Sequence, residues 1–357
     1  MELPADAPLA APADPPAAMP SSAAAAAPAA APAGASAAVE EPPRAAVWTE
    51  KPADPATFLS AEVAPHVPEL AAHAYVDGDV AAVGIPGWRA VGASRRGRLH
   101  AHQGRYREDA LALASWPRGV VMAVADGAGS APLSRVGAEL ATRTLAAHAS
   151  DDAALARALD QGMQAAQERL VRLAEASGVA RSALRCTLLA VALVDDGAGN
   201  ARLASAQVGD GVVARVGRDG TVSRLGRGDS GEFSGEVSCF LPDPCAPERA
   251  RASVAVGDAR DVALVLVASD GIEDPFYPIE RTGGLVARQL LGGVTEPAHN
   301  FQRQDPQPAP LLAADPSAAL LAWLAFERRG ENDDRTLAVL HPLPVPPAPA
   351  TPAPPAA

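Results

Sequence analysis

Short apolar runs separated by turn residues dominate residues 110–268. Runs at 110–115 and 120–125, on either side of a turn at Trp116–Gly119, predict a β-hairpin. Glycine-containing turns separate four later runs, which predict an antiparallel meander at 186–194, 201–207, 212–216 and 221–225. The continuous apolar run at 262–268 predicts a buried strand, and 336–340 predicts a final one.

A different period predicts the helices. Leu155, Leu159, Met163, Ala166 and Leu170 recur every three or four residues and form one apolar face of a helix that ends near residue 178. Further helices are predicted at 134–148, 283–291 and 317–328. Because the strands come in groups and do not alternate strictly with helices, the pattern favours an α+β layered fold over a doubly wound one.

Composition limits the folded region. Residues 1–45 and 342–357 are almost entirely alanine and proline, which predicts disordered tails. Residues 46–84 are predicted to be a linker, or a linker with a short docking element, and the folded domain is predicted at 85–341. The 30 basic and 42 acidic residues argue against a nucleic-acid partner.

The predicted location and cysteine redox state rest on motifs that the sequence lacks. No run has the length of a membrane span and the first residues do not resemble a signal peptide, so we expect a cytoplasmic protein without a membrane partner. The three cysteines are Cys186, Cys239 and Cys245, and no pair has the CxxC spacing. Free thiols are therefore expected.

Three acidic segments carry the candidate chemistry. Asp126-Gly127 and Asp270-Gly271 each follow an apolar strand, and Asp333-Asp334 precedes one. A single Asp-Gly is typical of a simple turn. Several carboxylates held at strand ends instead point toward a site for hard cations, which prefer oxygen ligands.

The order of the motifs adds a family resemblance. Arg107-Glu108-Asp109 comes first, then Asp126-Gly127, a strand with Thr187, Gly209-Asp210-Gly211, Asp270-Gly271 and Asp333-Asp334-Arg335-Thr336. Over about 92–340 this resembles the metal-dependent protein phosphatases of the 2C type, in a divergent bacterial branch. The resemblance implies a four-layer α-β-β-α sandwich of two antiparallel sheets with flanking helices.

The resemblance also implies a centre of two Mn²⁺ or Mg²⁺ ions, with a third, weaker site. Asp126 would bridge the two ions and the Gly127 carbonyl would bind one, while Glu108 would hold metal-bound water. Asp109, Asp270 and Asp333 would complete the centre, and Asp210 and Asp274 match the third site. The implied reaction is hydrolysis of phosphoserine or phosphothreonine by metal-activated water, on phosphoproteins made by a Ser/Thr kinase.

Departures from the family pattern leave alternatives open. Ala128 stands where a histidine is common, so a metal-bound water or another residue would have to donate the proton, and His100 and His102 are candidates. Gly104 stands where an arginine usually binds phosphate, with Arg105 and Arg107 nearby. Asp333 is preferred over Asp334 as the ligand. A catalytically weak or inactive module that binds a phosphoprotein, or an enzyme for small phosphate esters, also fits these residues.

Overall fold

The computed structural model describes residues 49–71, 78–148, 155–198, 200–226, 238–292, 309–328 and 330–343. They belong to one compact unit of the chain, Trp48–Ala357. The predicted tail 1–45, and residues 344–357 of the second tail, lie outside the described residues.

The strands form two antiparallel sheets. The six-stranded sheet has the order β1-β2-β11-β10-β7-β8, with β1 Gly78–Ile85, β2 Trp88–Arg95, β7 Val212–Gly217, β8 Val222–Arg224, β10 Val262–Ala268 and β11 Arg335–Pro342. The five-stranded sheet has the order β3-β4-β5-β6-β9, with β3 Ala110–Trp116, β4 Gly119–Ala125, β5 Leu188–Val194, β6 Arg202–Val208 and β9 Ala255–Asp258.

Helices cover the outer faces of both sheets. They are α1 Pro68–Ala71, α2 Arg98–Gln103, α3 Ser134–His148, α4 Leu155–Ser177, α5 Ala246–Ser253, α6 Asp270–Glu273, α7 Ile279–Gly292 and α8 Pro316–Trp323. The apolar face predicted for α4 is buried, and Gly178 follows its last residue in the left-handed conformation. No helix in the described ranges is both long and apolar enough to cross a membrane.

Alternation along the central strands builds the layers. In β4, Val121 and Ala123 pack toward α3 and α4, whereas Met122 and Val124 pack into the core between the two sheets. In β10, Val265 and Val267 enter that same central core, while the alternate residues pack toward α7 and α8. Each sheet is thus apolar on both faces, and the predicted four-layer α+β sandwich is confirmed.

The predicted four-strand meander is wrong at its centre. β5 pairs with β6 in one sheet and β7 pairs with β8 in the other, so the chain changes sheets between Val208 and Val212. Gly209 and Gly211 have φ of 89° and 88°, which turn the backbone around Asp210. A Cβ at Gly211 would lie 2.7 Å from the Ala268 carbonyl oxygen, so the crossing passes close to the end of β10.

The predicted linker 46–84 is packed over its described part. β1 pairs with β2 along its whole length, and Val63, Val67 and Leu70 are fully buried in the core beside α3 and α4. These residues are spaced by four and three, a helical period that the surrounding prolines and alanines obscure.

The predicted free thiols are correct only for Cys186, which is buried. Cys239 and Cys245 form a disulfide with Cα atoms 6.2 Å apart. The Asp243 N–H donates to the Phe240 carbonyl at 2.8 Å, closing a turn between the two cysteines. That turn, and not a CxxC spacing, brings the sulfur atoms together.

Candidate metal centre

Antiparallel register brings the predicted acids to one edge of the sandwich. Ala110 pairs with Ala125, so Asp109 before β3 and Asp126 after β4 lie side by side. In the other sheet Ala268 pairs with Leu337, which places Asp270 after β10 near Asp333 ahead of β11. Asp210 lies on the crossing between the sheets, whose next strand begins opposite Ala268.

The carboxylates interact with one another across the two sheets. The charges of Asp270, Asp109 and Asp333 all act on Asp126. Asp270 in turn lies in the fields of Asp210, Asp333, Asp109 and Asp274. Each of the six carboxylates predicted to bind metal therefore interacts electrostatically with at least one of the others: Asp109, Asp126, Asp210, Asp270, Asp274 and Asp333.

Burial and mutual repulsion shift the titration of this cluster. Burial, followed by the charge of Asp334, raises the pKa of Asp109 to about 7, although hydrogen bonds from Thr336 and Ser269 oppose the shift. Burial and the neighbouring carboxylates raise the pKa values of Asp126 and Asp270 well above the usual range. Burial and the charge of Asp333 also raise the pKa of Asp274. Such a cluster is stable in its ionised form only with compensating positive charge.

The donor set fits hard divalent cations. Oδ1 of Asp270 and Oε2 of Glu108 are buried and have no hydrogen-bond partner among the described residues. A buried unpaired carboxylate oxygen is costly, and a cation would satisfy it. The predicted ligands are all oxygen atoms, as Mg²⁺ and Mn²⁺ prefer.

Gly127 is closely packed beside the cluster. A Cβ there would lie 2.8 Å from both the Glu108 carbonyl oxygen and the Ser134 Cβ. Gly127 also forms an isolated bridge with Cys186, while Thr187 Oγ1 accepts from the Asp126 N–H at 2.8 Å. These contacts hold the Asp126-Gly127 turn rigidly. The role of the Gly127 carbonyl as a ligand remains a prediction.

Asp333 and Asp334 have different environments. The Asp334 side chain is 2% exposed and accepts from the N–H groups of Gly97 at 2.6 Å and Glu108 at 2.5 Å. The Asp333 side chain is 59% exposed, and its charge acts on Asp126 and Asp270. This arrangement supports Asp333 as the ligand and makes Asp334 a structural clamp.

Arg105 and Glu108 lie together next to the cluster. Arg105 Nη2 donates to Glu108 Oε1 at 2.6 Å and to the Gly129 carbonyl at 3.3 Å. Burial raises the pKa of Glu108, although His100 and Arg105 lower it. Arg107 points elsewhere, since its guanidinium is buried 3.5 Å from Glu139. Of the two arginines, Arg105 alone is placed to meet a phosphate.

Of the two candidate histidines, His100 lies beside a predicted ligand, with its Nε2 4.0 Å from Asp333 Oδ1. His100 is 6% exposed, and its Nδ1 lies 3.0 Å from Asp334 Oδ1. Burial lowers the pKa of His100, but the hydrogen bond and charge of Asp334 outweigh it and raise the pKa overall. His102 Nδ1 accepts from the Thr49 N–H at 3.3 Å. Both side chains have structural partners.

Sequence reasoning missed the residues that support the acids. Ser269 Oγ donates to Asp109 Oδ2 at 2.7 Å and accepts from the Thr336 N–H at 3.1 Å, so it links the two sheets. A Cβ at Gly97 would lie 2.3 Å from the Asp333 carbonyl carbon. Only the position of Ser269, directly before Asp270, could have indicated its role.

Comparison with solved structures gives similar folds. The Mycobacterium tuberculosis serine/threonine phosphatase PstP/Ppp matches at 21% identity over 71% of this chain and 98% of its own, with a TM-score of 0.47. The catalytic domain of PstP in complex with two manganese ions matches at 22% identity over 72% and 99%, with a TM-score of 0.49. Stp1 from Staphylococcus aureus, a serine/threonine phosphatase, matches at 14% identity over 71% and 94%, with a TM-score of 0.49.

Sequence comparison supplies the family. A search of curated proteins gives no significant match. The family model described as protein phosphatase 2C matches residues 96–301, more than half of the chain. That range contains every acid of the cluster except Asp333, which β11 brings to the same edge. The chain belongs to the protein phosphatase 2C family.

Proposed function

We propose that this chain is a metal-dependent phosphoprotein phosphatase that hydrolyses phosphoserine and phosphothreonine. The observation that carries the proposal is the electrostatic interaction of six carboxylates at one edge of the sandwich, together with a buried oxygen of Asp270 that has no hydrogen-bond partner among the described residues. Two bound Mn²⁺ or Mg²⁺ ions would lower the pKa of a water molecule and neutralise the charge of the phosphate.

The chain's own residues would have separate roles in binding the ions and orienting the water. Asp126, in the fields of acids from both sheets, would hold both ions, and Asp109, Asp270 and Asp333 would complete their binding. Asp210 and Asp274, whose charges act on Asp270, would bind a third, weaker ion. Glu108 Oε2, which has no hydrogen-bond partner in the part of the chain that the structure describes, would orient the attacking water.

Phosphate binding and proton delivery fall to different parts of the site. Arg105 is 39% exposed at its side chain and has a rigid partner in Glu108, so it can donate to phosphate oxygens. Ala128 has no proton to give, and His100 is buried against Asp334. Either His100, whose Nε2 lies 4.0 Å from Asp333 Oδ1, or solvent beside the exposed Asp333 would supply the proton of the leaving alcohol.

Hydrolysis assays test the proposal directly. Purified protein is given p-nitrophenyl phosphate or a phosphothreonine peptide with Mn²⁺, with Mg²⁺ and with chelator, beside Asp126→Asn. We expect turnover that requires metal and is lost in the variant. Normal metal-dependent activity in Asp126→Asn would refute the assignment of the site.

Two alternatives have distinct outcomes in the same assay. The missing histidine and the burial of His100 favour a module that binds a phosphoprotein without hydrolysing it. Phosphopeptide binding without turnover at saturating Mn²⁺ would establish that module. A preference for small esters over peptides would instead indicate a small-molecule phosphatase. A kinase that supplies the phosphoprotein, and a cytoplasmic location, belong to the proposal.

A further inference from the structure

Residues 49–59, called the clasp below, lie against the loop 104–107 that leads to Glu108. The Lys51 N–H donates to the Ala101 carbonyl at 2.8 Å. A Cβ added at Gly104 would lie 3.5 Å from the Lys51 Cβ, so the clasp passes close to the loop. The clasp precedes the residues 96–301 that match the family model. The family match therefore does not extend to the clasp.

An aromatic pair joins the clasp to the loop. Tyr106 is 9% exposed and Phe58 is 6% exposed, and their rings meet edge to face with centroids 5.4 Å apart. The Tyr106 hydroxyl also contacts the Asp54 carbonyl and Thr57 Oγ1. Because Tyr106 directly follows Arg105, these contacts restrict the backbone from which the Arg105 side chain extends.

Arg135, on α3, contacts both members of the same aromatic pair. Its Nε donates to the Phe58 carbonyl at 2.9 Å and its Nη2 donates to the Thr57 carbonyl at 3.1 Å. Its guanidinium carbon lies 4.5 Å from the centroid of the Tyr106 ring. A cation over a tyrosine face, with two clasp carbonyls as acceptors, ties three segments together.

Arg96 holds the backbone of Arg105 directly. Its Nη1 donates to the Arg105 carbonyl at 3.1 Å and its Nη2 donates to the Lys51 carbonyl at 3.0 Å. Beyond this fixed backbone, the Arg105 guanidinium reaches Glu108 and the Gly129 carbonyl. Its place beside the acid cluster thus depends on the clasp as well as on the sandwich.

We propose that the clasp contributes to phosphate binding. Phe58, Tyr106 and Arg135 are positioning residues that hold the Arg105 side chain where it can bind the substrate phosphate. The inference rests on the proposed function, because it takes the phosphate to be the substrate's. Without the clasp contacts, the loop would be less ordered in the free protein. Ordering the Arg105 side chain on phosphate binding would then cost free energy and weaken the affinity for phosphate.

The test compares variants of the full-length protein. Phe58→Ala removes the ring, and Phe58→Leu is a milder second variant in case the first fails to fold. Leu70→Ala is the matched control, because Leu70 is also buried but packs in the core beside α3 and α4. Each is also made in an Arg105→Ala background. Readouts are the calorimetric Kd of inorganic phosphate with Mn²⁺, the Mn²⁺ affinity, and kcat and KM for p-nitrophenyl phosphate.

We expect Phe58→Ala to weaken phosphate binding and raise KM roughly tenfold, about the effect of one charge-assisted hydrogen bond. The Mn²⁺ affinity and kcat should change little, and Leu70→Ala should leave phosphate affinity intact. In the Arg105→Ala background, Phe58→Ala should have no further effect, because both changes remove the same contact.

Three results would overturn the inference: an equal loss in Leu70→Ala, an undiminished effect of Phe58→Ala without Arg105, or no phosphate binding by the unmodified protein with Mn²⁺. The proposed function fails separately, through absence of turnover. The protein could show no turnover while its phosphate affinity still depends on Phe58 through Arg105. That result would support the inference and refute the proposed enzyme activity.

Discussion

At the scale of single residues, two adjacent aspartates have opposite tasks. Asp334 accepts hydrogen bonds from backbone N–H groups that belong to two distant segments, whereas Asp333 is exposed and faces the acid cluster. Replacing either by asparagine removes one charge from the same dipeptide. The consequences should nevertheless differ, because the Asp334 side chain is 2% exposed whereas the Asp333 side chain is 59% exposed.

We expect Asp334→Asn to lower the free energy of unfolding of the chelated protein by about 3 kcal/mol, because a buried, multiply bonded carboxylate is lost. Asp333→Asn should change it by no more than about 0.5 kcal/mol. It should instead weaken Mn²⁺ binding by about tenfold or more. Denaturant unfolding and calorimetry measure the two effects. The reverse pattern would make Asp334 the ligand.

The sequence predicted the acids better than their supports. Asp126 and Asp270 could be found because each ends an apolar strand and precedes glycine, a local signal. The clamp formed by Asp334 could not, because its partners Gly97 and Glu108 lie more than two hundred residues earlier in the chain. Tyr106 and Phe58 were missed for the same reason. Their contact exists only once the clasp has folded back.

At the scale of elements, the site depends on close contact between α6 and the segment before β11. A Cβ at Gly271 would lie 1.8 Å from the Asp334 carbonyl oxygen. No side chain fits there, and the obstacle is backbone that cannot rotate away. Gly271, directly after Asp270, thus allows α6 to pack closely against the segment that contains Asp334.

Gly271→Ala should therefore push these segments apart. We expect a loss of at least about 2 kcal/mol in the free energy of unfolding, together with weaker Mn²⁺ binding, because Asp270 and Asp333 would separate. Gly129→Ala is the control, since nothing lies within 4 Å of a Cβ built there. Equal stability of the two variants in thermal unfolding would contradict this account.

The disulfide gives a second prediction for the elements. It closes a loop with a sequence separation of 6 between the cysteines, for which chain entropy alone suggests a contribution of about 2 kcal/mol. The reduced protein should unfold at correspondingly lower denaturant concentration. The Cys239→Ser, Cys245→Ser double variant should be as stable as the reduced protein, and reductant should not change its stability. Unchanged stability on reduction would show that the bridge adds nothing.

Strands were easier to predict than sheets. Apolar runs identified most strands, since period and length are local properties. Membership of a sheet is not local, and β6 and β7 were joined in one meander because only three residues separate them. Three strands and four short helices were missed: β1, β2, β9, α1, α2, α5 and α6.

At the scale of the whole molecule, the acid cluster couples protonation to folding. An Asp109 carboxyl with a pKa of about 7, against an ordinary value of 3.8, binds its proton more tightly in the folded state. Between these values the folded protein carries more protons than the unfolded one. Stability without metal must therefore fall as the pH rises through this window.

We expect the chelated protein to be more stable at pH 5 than at pH 8, with each such carboxyl adding a slope of up to about 1.4 kcal/mol per pH unit. Saturating Mn²⁺ should flatten the profile, because the cation replaces the protons. Asp126→Asn without metal should show a shallower slope. Unfolding midpoints across pH measure this, and a flat profile in the chelated protein would refute it.

The division of the acids between the sheets has a mechanical consequence. Asp109 and Asp126 flank strands of the five-stranded sheet, whereas Asp270 and Asp333 flank strands of the six-stranded one. An ion shared between these pairs would act as a removable cross-link, joining two layers that otherwise meet mainly through apolar side chains. Chelation would then loosen the sandwich at this edge alone. Amide exchange at the ends of β4 and β10 would quicken together, while the far edge kept its protection.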